Sequence, residues 1–402
     1  MTGTKLWRNP CAAVGALYTR FAGKRTFSRI CYSLAVIAII YNLYESAELR
    51  KALDDRPQLK LETVTQQTEP DFQNWSDHDD ITIQRNGTEK ATMVMLVRNR
   101  EIREALASMR SVEDRFNKNF HYPWTFLNDK PFTKEFIEYT TGMASGPVEY
   151  AVISEECWSM PSSINVTLAK HGMVEMSNQR IIYGGSLSYR HMCRFNSGFF
   201  YNMEIMKKYD CDPFTFMRTN DKVYGFVITM YEFEATIKTL WARTKEFILG
   251  NPQFLAANNS LGFLVDGSEA SAAGDTEIVG NYNLCHFWSN FEIASLNFYR
   301  GEAYTKYFEF LDSTGGFYYE RWGDAPVHSL GVGLFLPKDK VHHFADIGYS
   351  HPPASRCPQD DKSHTSGRCL CNRSNNFDTN GYSCLPKWWD IAGVNQGAKR
   401  PE

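Results

Sequence analysis

Strands alternating with helices constrain this chain most. ATMVMLVRN (91–99) has the β-branched and apolar make-up of a strand and ends in Arg98-Asn99. EIREALASMRSVEDRFN (101–117) follows with helical spacing, then YPWTFLND (122–129) as a second strand. KPFTKEFIEYTTGM (130–143) reads as a second helix and VEYAVIS (148–154) as a third strand. Such alternation predicts an α/β domain with a largely parallel sheet. Sheets of this kind bind ligands beyond the carboxyl ends of their strands. That rule puts Arg98, Asn99, Asn128 and Asp129 near a nucleotide, although each is equally readable as a loop cap. No GxGxxG or P-loop string occurs, which disfavours a dinucleotide or ATP enzyme.

The 402 residues suffice for one large domain or two modest ones, and 43% hydrophobic content fits a sizeable core. A net charge of −3 with no basic stripe gives no sign of nucleic acid. Charge is uneven, however. Residues 1–29 carry Lys5, Arg8, Arg20, Lys24, Arg25 and Arg29 and no acid, and the apolar run ICYSLAVIAIIYNLY (30–44) follows. A signal peptide, a membrane anchor and a buried helix compete for this run. No small-residue cleavage site follows it, so it reads as an uncleaved anchor over 30–45. Basic flanks place residues 1–29 in the cytosol as a tail. Residues 46–90 are polar and read as a stem, leaving 91–402 as a luminal domain. Ten cysteines, eight of them beyond the anchor, permit disulfides in a lumen. Cys369 and Cys371 are too close in sequence to bond each other without strain, so each is expected to pair elsewhere. No second close Cys or His pair supports a zinc finger. Sequons stand at Asn74, Asn86, Asn165, Asn258 and Asn372.

From His286 to Ser329 the chain crowds carboxylates (Glu292, Glu320, Asp324) and histidines (His286, His328) among many aromatic rings. Sugars stack their C–H faces on rings and bond their hydroxyls to acids, so the segment has the composition of a sugar site. A core helix followed by a salt-bridged loop would have the same composition.

This run resembles the fungal Golgi α-1,2-mannosyltransferases, glycosyltransferase family 15. The resemblance extends through YGGSLSYRHMCRFNSGFF (183–200), YGFVITMYEFEATIKTLW (224–241), HHFADIGYSHPP (342–353) and the tail CLC (369–371) and FDTNGYSCLPKWW (377–389). It implies a GT-A-like glycosyltransferase domain behind an N-terminal transmembrane helix, in a single-pass type II Golgi membrane protein. The implied reaction moves mannose from GDP-mannose to a mannose-terminated glycan with retention, in protein glycosylation and cell-wall mannan synthesis. Complexes with other mannosyltransferases are further implied partners. A departing diphosphate is usually neutralised by a divalent cation, and Mn²⁺ suits oxygen and imidazole ligands. By resemblance Glu292 is the nucleophile or the carboxylate flanking the anomeric carbon. Tyr189 lies at the sugar, His351 is a metal ligand, and Asp324 helps form the donor or acceptor site. Arg190 and Arg194, four apart on one helix face, either clamp phosphate or pair with buried acids.

In one place the chain departs from the family. Members carry a strand of the form YYWRVEPDVKFFCDI before a DPF triplet, and its glutamate supplies the other metal ligand. Here KKYDCDPFTFM runs from Asp210 directly into Cys211-Asp212-Pro213-Phe214. Either the transcript holds an in-frame segment absent from this sequence, or the protein lacks the strand. Removing a central strand strips ladder partners from buried backbone and costs more than a domain's whole stability of about 5–15 kcal/mol. Glu232 or Glu234 could then substitute as ligand. Without the acidic ligand, a non-catalytic paralogue that binds mannan or partner transferases is the alternative. A secreted lectin-like protein and a transferase using another donor sugar also remain open.

Overall fold

The computed structural model describes residues 89–209, 214–266, 278–367 and 369–393. The tail, the anchor expected at 30–45 and the stem up to residue 88 lie outside them. Among the described residues no helix is long and apolar enough to cross a membrane.

The first layer is the expected parallel sheet. Strand β1 (Met93–Leu96) leads into helix α1 (Ile102–Val112), β2 (Trp124–Asn128) into α2 (Lys134–Met143), and β3 (Val148–Val152) follows. The order is β1-β2-β3, with Met93 opposite Trp124 and Trp124 opposite Val148. Every residue of β2 is buried, as a central parallel strand covered on both faces requires. Strand alternation sends Trp124 and Phe126 to the face under Ala105, Met109 and Phe136. Leu127 points the other way and packs on Phe195. Phe195 belongs to α4 (Leu187–Gly198), which follows α3 (Val166–Asn178). Ser186 caps α4 by accepting from the Tyr189 amide at 3.1 Å. The sheet therefore fixes the helix that carries Tyr189.

The helical pattern over 101–117 is not one helix. Residues Asn99–Glu101 form a 3-10 turn, and Glu113–Asn117 a π turn after α1. Glu113 explains the widening: its Oε1 accepts from Asn117 Nδ2 and from Trp124 Nε1, each at 2.7 Å.

The second half is less parallel than expected. Strand β4 (Tyr224–Phe226) pairs antiparallel with β7 (Glu292–Ala294) and parallel with β8 (Val341–His343). Strand β5 (Thr229–Tyr231) pairs antiparallel with β6 (Cys285–Phe287), and β9 (Tyr349–His351) with β10 (Ala354–Arg356). Between α4 and β4 the described residues form 3-10 turns and the short helix Phe214–Thr219, and no strand. Around these strands lie α5 (Leu240–Gly250), α6 (Glu302–Thr314) and α7 (Asp324–Phe335). Helix α7 is buried on all sides from Ala325 to Phe335, which marks it as a core element. Gly198 lets α4 meet α6, because a Cβ there would fall 1.9 Å from the Phe308 ring.

Helix α8 (Leu385–Ala392) is tied back by a Cys285–Cys384 disulfide, and a second bridge joins Cys357 to Cys371. Cys369 is a free thiol, so the expected second pairing from the Cys369–Cys371 motif is absent among the described residues. The first bridge closes a 99-residue separation, for which loop entropy gives a large constraint. Replacing both Cys285 and Cys384 by alanine should lower stability by about 2–5 kcal/mol in urea titrations under oxidising conditions. An unchanged midpoint would mean that the two residues are not bridged in the folded protein.

Candidate active site

One histidine, His328, and two carboxylates, Glu292 and Asp324, meet where β6, β7 and the start of α7 converge. Register sets Glu292 opposite Phe226 at the head of β7. Tyr224, two residues back on β4, donates its hydroxyl to Glu292 Oε2 at 2.9 Å. His328, one turn into α7, brings Nδ1 to 3.1 Å from Oε1 and 3.2 Å from Oε2. Its Nε2 lies 3.1 Å from the Asn196 carbonyl. Both ring nitrogens thus face acceptors, the arrangement that suits imidazolium. Burial opposes the charge, but Glu292 outweighs it and the His328 pKa lies above its usual 6.5. Tyr299 completes the ring of contacts, with its hydroxyl 3.1 Å from His328 Nδ1. Burial holds the Tyr224 and Tyr299 phenols well above their ordinary range, so they remain neutral donors. Glu292 is 15% exposed. A carboxylate oriented by three groups and still open to solvent can face an electrophilic carbon.

Asp324 opens α7 and accepts from Ser289 Oγ at 2.7 Å. Burial, the largest influence, raises its pKa against the pull of His328 and Ser289. Tyr189 is half-buried, stacked on Tyr183 at 4.5 Å between ring centroids, with the Arg321 guanidinium 5.2 Å from its ring. Burial foremost, then the charges of Cys193 and Asp324, push its phenol up. Glu292 and Tyr189 each lie within electrostatic reach of Asp324.

The arginines behave differently. Arg190 is fully buried and donates to the carbonyls of Glu320 at 3.0 Å, Gly184 at 2.8 Å and Ser186 at 3.2 Å. Burial, then the charge of Arg321, lowers its pKa to about 10. Arg194 forms a two-pronged pair with Asp312 at 2.7 and 2.8 Å. Of the two expectations for this helix face, pairing with buried groups describes the structure, and a phosphate clamp does not. Arg98 donates to Ser188 Oγ at 2.6 Å, next to Tyr189, so it joins the end of β1 to α4. Glu320 spends its carboxylate on Trp322 Nε1 and Thr239, so the core reading holds for that part of the aromatic segment.

His351 is exposed on β9, edge-on to Trp288 with ring centroids 5.1 Å apart. Trp288 directly precedes Ser289, the residue that donates to Asp324. The metal set does not fit. Among the described residues, the one trio of His, Cys or acid close enough to hold an ion is Cys357, His364 and Cys371. Two of these are joined in a disulfide and offer no thiolate. Among the described residues no trio of His, Cys or acid includes His351, Glu232 or Glu234.

A family model, described as glycolipid 2-alpha-mannosyltransferase, matches residues 45–393. The chain belongs to glycosyltransferase family 15. It is 50% identical over 323 residues to the glycolipid 2-alpha-mannosyltransferase 2 of Candida albicans, covering 76% of this chain and 68% of that one. It is 44% identical over 369 residues to the glycolipid 2-alpha-mannosyltransferase of Saccharomyces cerevisiae, covering 87% and 81%. The solved mannosyltransferase Ktr4p of S. cerevisiae in complex with GDP superposes with a TM-score of 0.69 at 36% identity, over 77% of this chain and 83% of that one. Core-mannan synthase A of Aspergillus fumigatus, in an Mn/GDP form, gives 0.67 at 37% over 77% and 86%. This glycosyltransferase carries Glu292, Asp324 and Tyr189, the residues that the resemblance singled out.

The sequence had flagged His328 only as part of a crowd. Its signal was the Asp324–His328 spacing of four, which sets both on one helix face. Tyr224, Tyr299 and Ser289 gave no signal: the pairing of β4 with β7 brings Tyr224 to the site, while Tyr299 lies on the short helix Leu296–Arg300 and Ser289 in the turn after β6.

A raised His328 pKa favours the folded state fully below about pH 6.5, and that share is lost as pH climbs through the folded value. His328→Gln should therefore destabilise most near pH 6 and less near pH 9, in urea titrations at both. An equal loss at the two values would show that the pair with Glu292 is not ionic.

Proposed function

We propose that this chain is an α-1,2-mannosyltransferase that moves mannose from GDP-mannose to a mannose-terminated glycan in the Golgi. The observation that carries this is Glu292, held by His328 and Tyr224 beside Asp324 and Tyr189, in a family 15 chain. The relatives' names support mannose as the transferred sugar, and the GDP-bound relative supports the donor.

In this reading Glu292 attacks, or flanks, the anomeric carbon, and retention follows from a carboxylate on that face. Asp324, whose pKa burial raises above the ordinary carboxylate value, is suited to take the proton of an acceptor hydroxyl. Tyr189 lines the sugar. Arg98, at the carboxyl end of β1, is the remaining nucleotide-side candidate. The layout that goes with this function is a cytosolic tail at 1–29, an anchor at 30–45, a stem at 46–90 and a luminal domain from 91. Mn²⁺ would supply charge neutralisation at the diphosphate; His351 is the one ligand the resemblance leaves in this sequence, since the strand that carries the second is absent after Asp210.

That absence favours a second reading, a paralogue that binds mannan or partner transferases without turnover. The full-length protein in detergent separates the two. With GDP-mannose and methyl α-mannoside, mannosyl transfer is expected, and Glu292→Gln should lower kcat by about 10³-fold. Mannoside binding without transfer, with or without added Mn²⁺, would establish the second reading. Near wild-type turnover by the variant would remove Glu292 from the chemistry.

A further inference from the structure

The sequons have no part in the roles assigned so far, and those at Asn165, Asn258 and Asn372 lie in described residues. Glycan transfer to asparagine needs the side-chain amide at the surface, a hydroxyl residue two positions on, and room outside the fold for a bulky sugar. The fold treats the three differently. At Asn258 the hydroxyl residue, Ser260, is fully buried, and its amide donates to the Gly333 carbonyl at 2.7 Å. The Asn258 carbonyl accepts from the Lys338 amide at 2.8 Å. Asn372 directly follows Cys371, whose bridge to Cys357 fastens that sequon as it forms.

Asn165 is open on every count. It and Thr167 are exposed at the start of α3. Its Oδ1 caps the helix by accepting from the Leu168 amide at 3.1 Å. Its Nδ2, the atom that carries a glycan, has no hydrogen-bond partner among the described residues. Glycosylation leaves the carbonyl oxygen untouched, so cap and glycan can coexist. The inner side of α3 is buried through Ala169 and Met176, and Gly172 closes against the Tyr319 backbone. The outer side is not polar: Val166, Leu168 and Val174 are 50%, 54% and 59% exposed. Apolar groups gathered around one exposed sequon are a surface that a hydrated glycan would shield. The contact that fixes the sequon also comes late. The Asn165 amide donates to the Tyr319 hydroxyl at 2.9 Å across 154 residues, so during synthesis the segment is free of it until Tyr319 is made.

We propose that Asn165 is an N-glycosylation site that takes an oligosaccharide from a polyprenyl diphosphate donor. Nδ2 bonds to the anomeric carbon, and the bond from that carbon to the diphosphate oxygen breaks. Polyprenyl diphosphate leaves with the electron pair, and the amide gives up one proton. The inference rests on the luminal placement of residues from 91 onward and not on the transferase chemistry. The full-length protein is expressed in a fungal host, purified in detergent and treated with peptide N-glycosidase in ¹⁸O-water. Each modified asparagine becomes labelled aspartate, which peptide mass spectrometry reads. Label at Asn165 is expected. Thr167→Ala should abolish it and remove one glycan's shift on a gel, Thr167→Ser should restore it, and mannosyl transfer should match wild type in both. Thr167→Ala keeps the Asn165 cap, so a lost label cannot be laid to a lost cap. Unlabelled Asn165 beside a labelled second sequon overturns the site and leaves the luminal placement standing. With no label anywhere the site falls, and protease added outside intact vesicles decides the rest. A digested domain overturns the luminal placement too, and a protected one overturns the site alone.

Discussion

His328 lies behind Glu292 in the core, and the site depends on that contact. A carboxylate taken this far from water needs an opposite charge or several donors. Here it has both: an imidazole between two oxygens, and two phenols. The requirement reaches outward. His328 can stand there only because α7 is buried along its length. Glu292 meets it because β7 runs antiparallel to β4 and turns that side chain inward. Asn196 supplies the far acceptor from α4, which the parallel sheet positions through Leu127 and Phe195. Three separate parts of the chain are thus committed to one imidazole.

Much of the fold was readable from residues 91–154, because local pattern and global role agree there. Strand-forming runs are short, helices are amphipathic, and each neighbour in sequence is a neighbour in space. The second half was not readable in the same way. Its strands are three residues long, too short for period-two alternation to show. Their partners lie far off in sequence, as with Tyr224 opposite Ala294. The aromatic segment divided the same way. Trp322, Tyr304 and Tyr307 went to the core, while Glu292 and Asp324 went to the site. Composition could not separate them, since a sugar site and an aromatic core use the same rings. Arg190 shows the opposite hazard. A cationic side chain beside a ligand-binding helix suggests phosphate, yet backbone carbonyls took its donors.

The sequence carries no acidic strand after Asp210. The groups around Glu292 and Asp324 are organised by the second half of the chain, whose described residues are well packed around α7. The parallel sheet contributes through α4, which carries both Tyr189 and Asn196. Family membership describes the ancestry of both halves; the chemistry of each rests on its own residues.

The Cys285–Cys384 bridge has a consequence in time as well as in space. The covalent loop it closes contains His286, Glu292, Arg321, Asp324, His328 and His351. Synthesis runs from the amino end, so the parallel sheet and α4 can assemble while this loop is still incomplete. The knot around the site is drawn only when Cys384 arrives, among the last residues of the fold. Quality control that senses unpaired thiols would then be sensing, in effect, whether the half of the fold that carries Glu292 and Asp324 has closed.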